Sequence, residues 1–126
     1  MRPCHETAHA AAARRIAGIE LSDYQRESRR TAAYPRDAWL VYPGLGLAGE
    51  AGEVAEHVKK AVRDDGGEVT PERRAAMSKE LGDVLWYVAQ LASELDLDLD
   101  AIATENLDKL FSRQRRGVLS GSGDER

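Results

Sequence analysis

From Gly44 onward, apolar residues recur every three or four positions. Leu47, Ala51, Val54, Val58 and Ala61 mark one face of a helix predicted over about residues 44–64, and Asp64-Asp65-Gly66-Gly67 ends it. Thr70-Pro71 supplies an N-cap followed by proline at the first helical position. The helix it opens runs to about Leu95 with an apolar stripe of Met77, Leu81, Val84, Val88, Leu91 and Leu95. A last helix starts near Asp98 and carries Ile102, Leu107, Leu110 and Phe111 towards Arg113. Upstream, Ser22 caps a short polar helix to about Ala33, where Pro35 stops it. The stretch from 34 to 43 holds Tyr34, Pro35, Trp39, Tyr42 and Pro43, an aromatic loop expected to pack over something.

The chain therefore divides into a flexible arm over 1–19, a helical domain over 20–116 and a Gly/Ser-rich tail over 117–126. The arm contains Arg14, Arg15 and a run of alanines, but Glu6, Glu20 and the lack of a long apolar stretch argue against a targeting signal. Short connections between amphipathic helices favour antiparallel neighbours, so the expected fold class is all-α, an antiparallel four-helix-bundle-like domain. Gly46, Gly49 and Gly52 fall within the predicted 44–64 helix. Each costs about 0.5 to 1 kcal/mol relative to Ala, which calls for a close approach by a second helix or a ligand.

Composition narrows the class. The 126 residues are 42% hydrophobic and 32% charged, the size of one domain. Mean hydropathy is −0.52, and no apolar run approaches the ~18 residues of a membrane span. A soluble, cytoplasmic protein with no membrane partner is expected. Cys4 is the single thiol, which excludes an intrachain disulfide and a cysteine-based zinc site. The net charge of −4 lacks the basic bias of a nucleic-acid binder and disfavours an anionic substrate unless something reverses the sign locally.

The candidates for that reversal are four carboxylates. Glu50 and Glu53 sit three apart on one long helix, and Glu80 and Asp83 three apart on the next. Solvated carboxylates usually find Lys or Arg at i±3 or i±4, as Glu56 does with Lys59 and Lys60. Glu50, Glu53 and Glu80 have none at those offsets, Asp83 has only Lys79, and Glu50, Glu80 and Asp83 border the apolar seams. If the pairs meet, like charges ~4 Å apart repel by about 4 kcal/mol per pair at an effective dielectric near 20. Cations from outside the motif are then required, and oxygen-only ligands select Mg²⁺ or Mn²⁺. Such an ion lets an acidic protein attract a polyphosphate.

The segment Gly49-Glu50-Ala51-Gly52-Glu53-Val54-Ala55-Glu56, followed by Glu80-Leu81-Gly82-Asp83-Val84-Leu85-Trp86-Tyr87, resembles the E-x-x-E and E-x-x-D signature of the MazG-like nucleoside triphosphate pyrophosphohydrolases. Asp23-Tyr24-Gln25, Lys59-Lys60, Arg63-Asp64, Asn106, Lys109-Leu110, Arg113 and the tail extend the similarity over about residues 20–126. The resemblance implies hydrolysis of a nucleoside triphosphate to monophosphate and pyrophosphate in nucleotide-pool house-cleaning. It implies Glu50, Glu53, Glu80 and Asp83 as catalytic metal ligands, and a homodimer or homotetramer with sites near subunit boundaries. Some relatives carry a further Glu where this chain has Gly49.

Around the cluster, Lys60 lies on the face of Glu53 and can reach a phosphate, or pair with Glu56. Tyr87, four residues after Asp83, can stack on a base or fill core; a relative that prefers cytosine nucleotides has tyrosine at the matching place. Trp86 is offset towards packing. His57 reads as a metal ligand or as the partner of a nearby carboxylate. The resemblance makes Asn106, Lys109 and Arg113 phosphate or sugar contacts, with a solvated face as the plainer alternative. Base selectivity would be written in Gln25, Tyr34, Trp39, Tyr42 and Tyr87, whose directions the spacing does not give, and the tail after Arg116 is a candidate substrate lid. Two rivals remain: a di-iron bundle, disfavoured because only Glu53-x-x-x-His57 is present, and a non-catalytic helical module whose acidic seam binds a basic partner.

Overall fold

The computed structural model describes residues 18–125. Most of the expected N-terminal arm therefore lies outside the described residues, as does Arg126. The described part is all-helical and holds no strand: α1 (Leu21–Arg29), a 3₁₀ turn (Arg36–Ala38), α2 (Val41–Asp64), α3 (Pro71–Glu94) and α4 (Leu99–Arg115). No described helix is long and apolar enough to cross a membrane.

Local signals set the helix ends. Thr70 caps α3 by accepting from the Arg73 N–H at 3.2 Å, and Asp98 caps α4 by accepting from the Ala101 N–H at 2.8 Å. Helix α4 stops where Gly117 turns left-handed (φ 70°) and the Val118 N–H bonds back to the Arg113 carbonyl at 2.9 Å. Helix α2 begins at Val41, three residues earlier than the glycine pattern predicts. Pro43 is tolerated because first-turn N–H groups have no partner within the helix, and its ring is buried. Helix α1 ends at Arg29 and not at Ala33. There the Thr31 hydroxyl turns back to the Ser28 carbonyl at 2.7 Å and also accepts from the Trp86 indole N–H at 2.8 Å.

Helices α2 and α3 form the main packed pair. Contacts of Gly46 with Tyr87, His57 with Glu80 and Asp65 with Arg73 run in opposite directions along the two helices, which makes them an antiparallel hairpin. Helix α1 lies on α3, and α4 packs chiefly on α1. The buried core is small: Ala89, Ala92 and Leu99, with Leu21, Tyr24 and Val88 packed against them. Gln25 staples this junction, donating to the Leu97 carbonyl (2.9 Å) and Ser93 Oγ (3.1 Å) and accepting from the Leu99 N–H (2.9 Å). Fully buried Gln90 donates to Ser28 Oγ at 3.1 Å and accepts from Arg29 at 3.3 Å.

Because α4 docks on α1, the four helices of one chain do not all close around a shared core. Val58, Val62, Leu81, Leu85, Leu107, Leu110 and Phe111 stay exposed. The apolar stripes are where the periodicity places them, but part of each faces outward.

Candidate metal centre

The hairpin brings Glu50 of α2 beside Glu80 and Asp83 of α3. Each offers an oxygen within 4.8 Å of the others. Glu50 and Glu80 are half-buried and Asp83 is exposed. Among the described residues no lysine or arginine lies within 4 Å of any of them; the nearest basic group is His57, its Nε2 at 3.7 Å from Glu80 Oε1. Burial, the charges of Asp83 and Glu80, a hydrogen bond to Glu80 and the charge of Glu53 push the Glu50 carboxyl above its ordinary value. At 4.8 Å two full charges repel by about 3.5 kcal/mol at an effective dielectric of 20, an upper bound for groups this accessible to water. An all-oxygen set of this charge fits a hard divalent cation such as Mg²⁺ or Mn²⁺.

Glu53, one turn beyond Glu50, is exposed and stands outside this triad. Tyr87 lies at the edge of the cluster, its hydroxyl raised by burial and by Tyr42 and Glu50. Its ring closes over Gly46, where an added Cβ would sit 2.2 Å from a ring carbon. This accounts for one of the three helix glycines. Gly49 and Gly52 border open space on the carboxylate-bearing helix.

Beyond Tyr87 the aromatics assemble. Trp86 meets Tyr87 (5.0 Å between centroids) and Tyr34 (6.4 Å) edge-on, and Tyr34 stacks on Tyr42 at 5.3 Å. The Tyr34 hydroxyl donates to Glu94 and accepts from Arg29 at 2.6 Å, while Arg29 pairs with Glu94 at 2.7 Å. A cleft of about 440 Å³ opens here, lined by Arg29, Ala32, Tyr34, Arg36, Trp39 and Glu94.

The other sequence candidates are placed apart from the triad. Gln25 is engaged at the α3–α4 junction, as described. Lys60 lies 3.9 Å from Glu56, which also pairs with Lys59. Asn106 is exposed on α4. Lys109 and Arg113 both meet Asp124 of the tail, at 3.5 and 3.2 Å, and Arg113 also donates to the Asp124 carbonyl at 2.7 Å. The Arg113 side chain is buried, and its Nε has no hydrogen-bond partner among the described residues. Spacing could not reveal the Asp124 or Glu94 contacts, which depend on how the tail and α1 fold back.

Residues 44–118 match the MazG nucleotide pyrophosphohydrolase domain. The chain belongs to the MazG family. The match spans all four carboxylates and the α2–α3 hairpin that carries them. Gene 37 protein of Mycobacterium phage L5 is 50% identical over 109 residues, 82% of this chain and 96% of the phage protein. dCTP pyrophosphatase 1 of Rattus norvegicus and that of Mus musculus are each 38% identical over 76 residues, 59% of this chain and 44% of the mammalian protein. No solved structure matches this MazG chain.

Proposed function

We propose that this protein hydrolyses nucleoside triphosphates between the α and β phosphorus, releasing a nucleoside monophosphate and pyrophosphate, in cytoplasmic nucleotide-pool house-cleaning. The observation that carries the reading is the triad of Glu50, Glu80 and Asp83 inside the MazG-matching segment, with no lysine or arginine within 4 Å among the described residues. These three carboxylates, with Glu53 one turn away, are the proposed holders of Mg²⁺, with Mn²⁺ as a substitute. A divalent ion bound there would neutralise the triphosphate, lower the pKa of a bound water and stabilise charge on the attacking and leaving oxygens. The chain itself fixes the ligands on two packed helices, so little reorganisation is needed as charge develops.

Tyr87 is the proposed base-stacking residue. Lys60, Asn106, Lys109 and Arg113 are proposed phosphate and sugar contacts. The similarity to two dCTP pyrophosphatases makes dCTP the first substrate to try.

Assembly is part of this proposal. The side chains buried in one chain are few and mostly small, while large apolar residues remain bare on α2, α3 and α4. A second copy covering these faces would form a homodimer or homotetramer and bring one chain's α4 towards another's carboxylates. Light scattering after gel filtration should give an integral multiple of 13.8 kDa above one.

A panel of ribo- and deoxyribonucleoside triphosphates, with and without Mg²⁺, tests the activity. Metal-dependent release of pyrophosphate is expected; orthophosphate alone would contradict α/β cleavage, and silence across the panel would favour a binding module with an acidic seam. Truncation after Arg116 tests the tail. KM rises if the tail closes over the triphosphate and falls if Asp124 competes for Lys109 and Arg113.

A further inference from the structure

We infer that His57 is a positioning residue of the carboxylate centre, acting through Glu80. His57 lies on α2 two turns after Glu50, hence on the face that meets α3. Its Nε2 faces Glu80 Oε1 at 3.7 Å, and both side chains are largely screened from solvent, at 20% and 24% exposure. The opposite ring nitrogen, Nδ1, is buried with no hydrogen-bond partner. A neutral imidazole carries one N–H, and the tautomer with that hydrogen on Nε2 directs it at Glu80 Oε1. A shift of about 0.5 Å in the flexible Glu80 side chain would turn the contact into a hydrogen bond.

His57 is not itself among the side chains whose ligand atoms converge, which are Glu50, Glu80 and Asp83 alone. It stands behind Glu80, as outer-sphere partners stand behind metal ligands, restricting the orientations that the carboxylate samples. Glu50 and Asp83 have no histidine, lysine or arginine within 4 Å among the described residues, so Glu80 is the member of the triad with a basic neighbour.

The inference rests on the proposed metal reading, and direct cation binding separates the two. Full-length wild type, His57→Gln and His57→Asn are titrated with Mn²⁺, following the electron paramagnetic resonance signal of the free ion. Glutamine places an N–H near the position of Nε2, whereas asparagine places its amide near Nδ1 and leaves Glu80 unsupported. His57→Gln should bind Mn²⁺ within about threefold of wild type, and His57→Asn about tenfold or more weakly. Melting in EDTA checks that both variants are folded. Asparagine binding as well as wild type, or glutamine binding as poorly as asparagine, overturns the role of His57. A wild type that takes up no Mn²⁺ overturns the metal centre itself.

Discussion

The stretch of α3 from Glu80 to Glu94 carries carboxylates at both of its ends, in opposite circumstances. Glu94 follows Asp83 by eleven residues, about three turns and some 16 Å along the same face. Glu94 lies against Arg29 at 2.7 Å and accepts from the Tyr34 hydroxyl. That hydrogen bond and the guanidinium hold its carboxyl below the ordinary value. Glu80 and Asp83 face Glu50 with no lysine or arginine within 4 Å among the described residues, and the Glu50 carboxyl is raised. At one end the fold supplies the counter-charge and the carboxylate fastens α1 and the aromatic loop to α3. At the other the counter-charge is missing, which is the condition for binding a cation.

The largest expected difference is in turnover. Asp83→Asn should lower it by at least about 100-fold, since a lost ligand removes several kcal/mol of charge stabilisation. Glu53→Gln should have a comparable effect if the fourth carboxylate closes on the ion, whereas Glu94→Gln should stay within about threefold. Steady-state rates with Mg²⁺ and a responsive triphosphate decide this. Equal losses at both ends would break the comparison.

Stability should show the reverse order. Glu94→Gln replaces a charge-assisted contact with a weaker one, an effect of about 1 to 2 kcal/mol after allowing for the partial exposure of Arg29. The thermal midpoint should fall by roughly 5 °C. Asp83→Asn in metal-free buffer should melt no lower than wild type, because it removes repulsion.

Acid titration should then separate the two ends by sign. With its carboxyl lowered in the fold, Glu94 contributes stability above the ordinary glutamate value of 4.5, and this is lost as pH falls through the folded value. With its carboxyl raised, Glu50 makes a contribution that is present below 4.5 and lost as pH rises through the folded value. In EDTA, the midpoint gap between wild type and Glu94→Gln should therefore shrink towards acid. The gain from Glu50→Gln should appear only as pH rises above the usual glutamate range.

A packing effect of similar size extends the contrast to α2. Gly46→Ala drives a methyl group into the Tyr87 ring and should cost about 1 to 3 kcal/mol. Gly49→Ala borders open space and should gain about 0.5 to 1 kcal/mol in metal-free melts.

What could be read from the chain follows the range of each interaction. The caps at Thr70 and Asp98 act within four residues, so the starts of α3 and α4 were legible. Pro43 misled because a proline is read as a breaker, although in the first turn of a helix it displaces no hydrogen bond. Glu50, Glu80 and Asp83 stood out by the scarcity of cations at i±3 and i±4. The departure of Glu53 from the triad did not, because Glu50–Glu53 and Glu80–Asp83 share one spacing and only the packing of α2 on α3 decides which oxygens converge. Arg29–Glu94 and Arg113–Asp124 depend on how α1 and the tail fold back, which no local spacing encodes. The apolar stripes were legible, but not which of them one chain would bury.

On the proposed reading, the repulsion at Glu50, Glu80 and Asp83 persists because a divalent cation binds there. The most direct test compares the thermal midpoints of wild type and Asp83→Asn, first in EDTA and then in Mg²⁺ at about a hundred times its dissociation constant for wild type, where binding adds about 2.7 kcal/mol. The prediction is a crossover, with the variant equal or more stable without metal and clearly less stable with it. A gap of the same sign and size in both buffers would contradict the account.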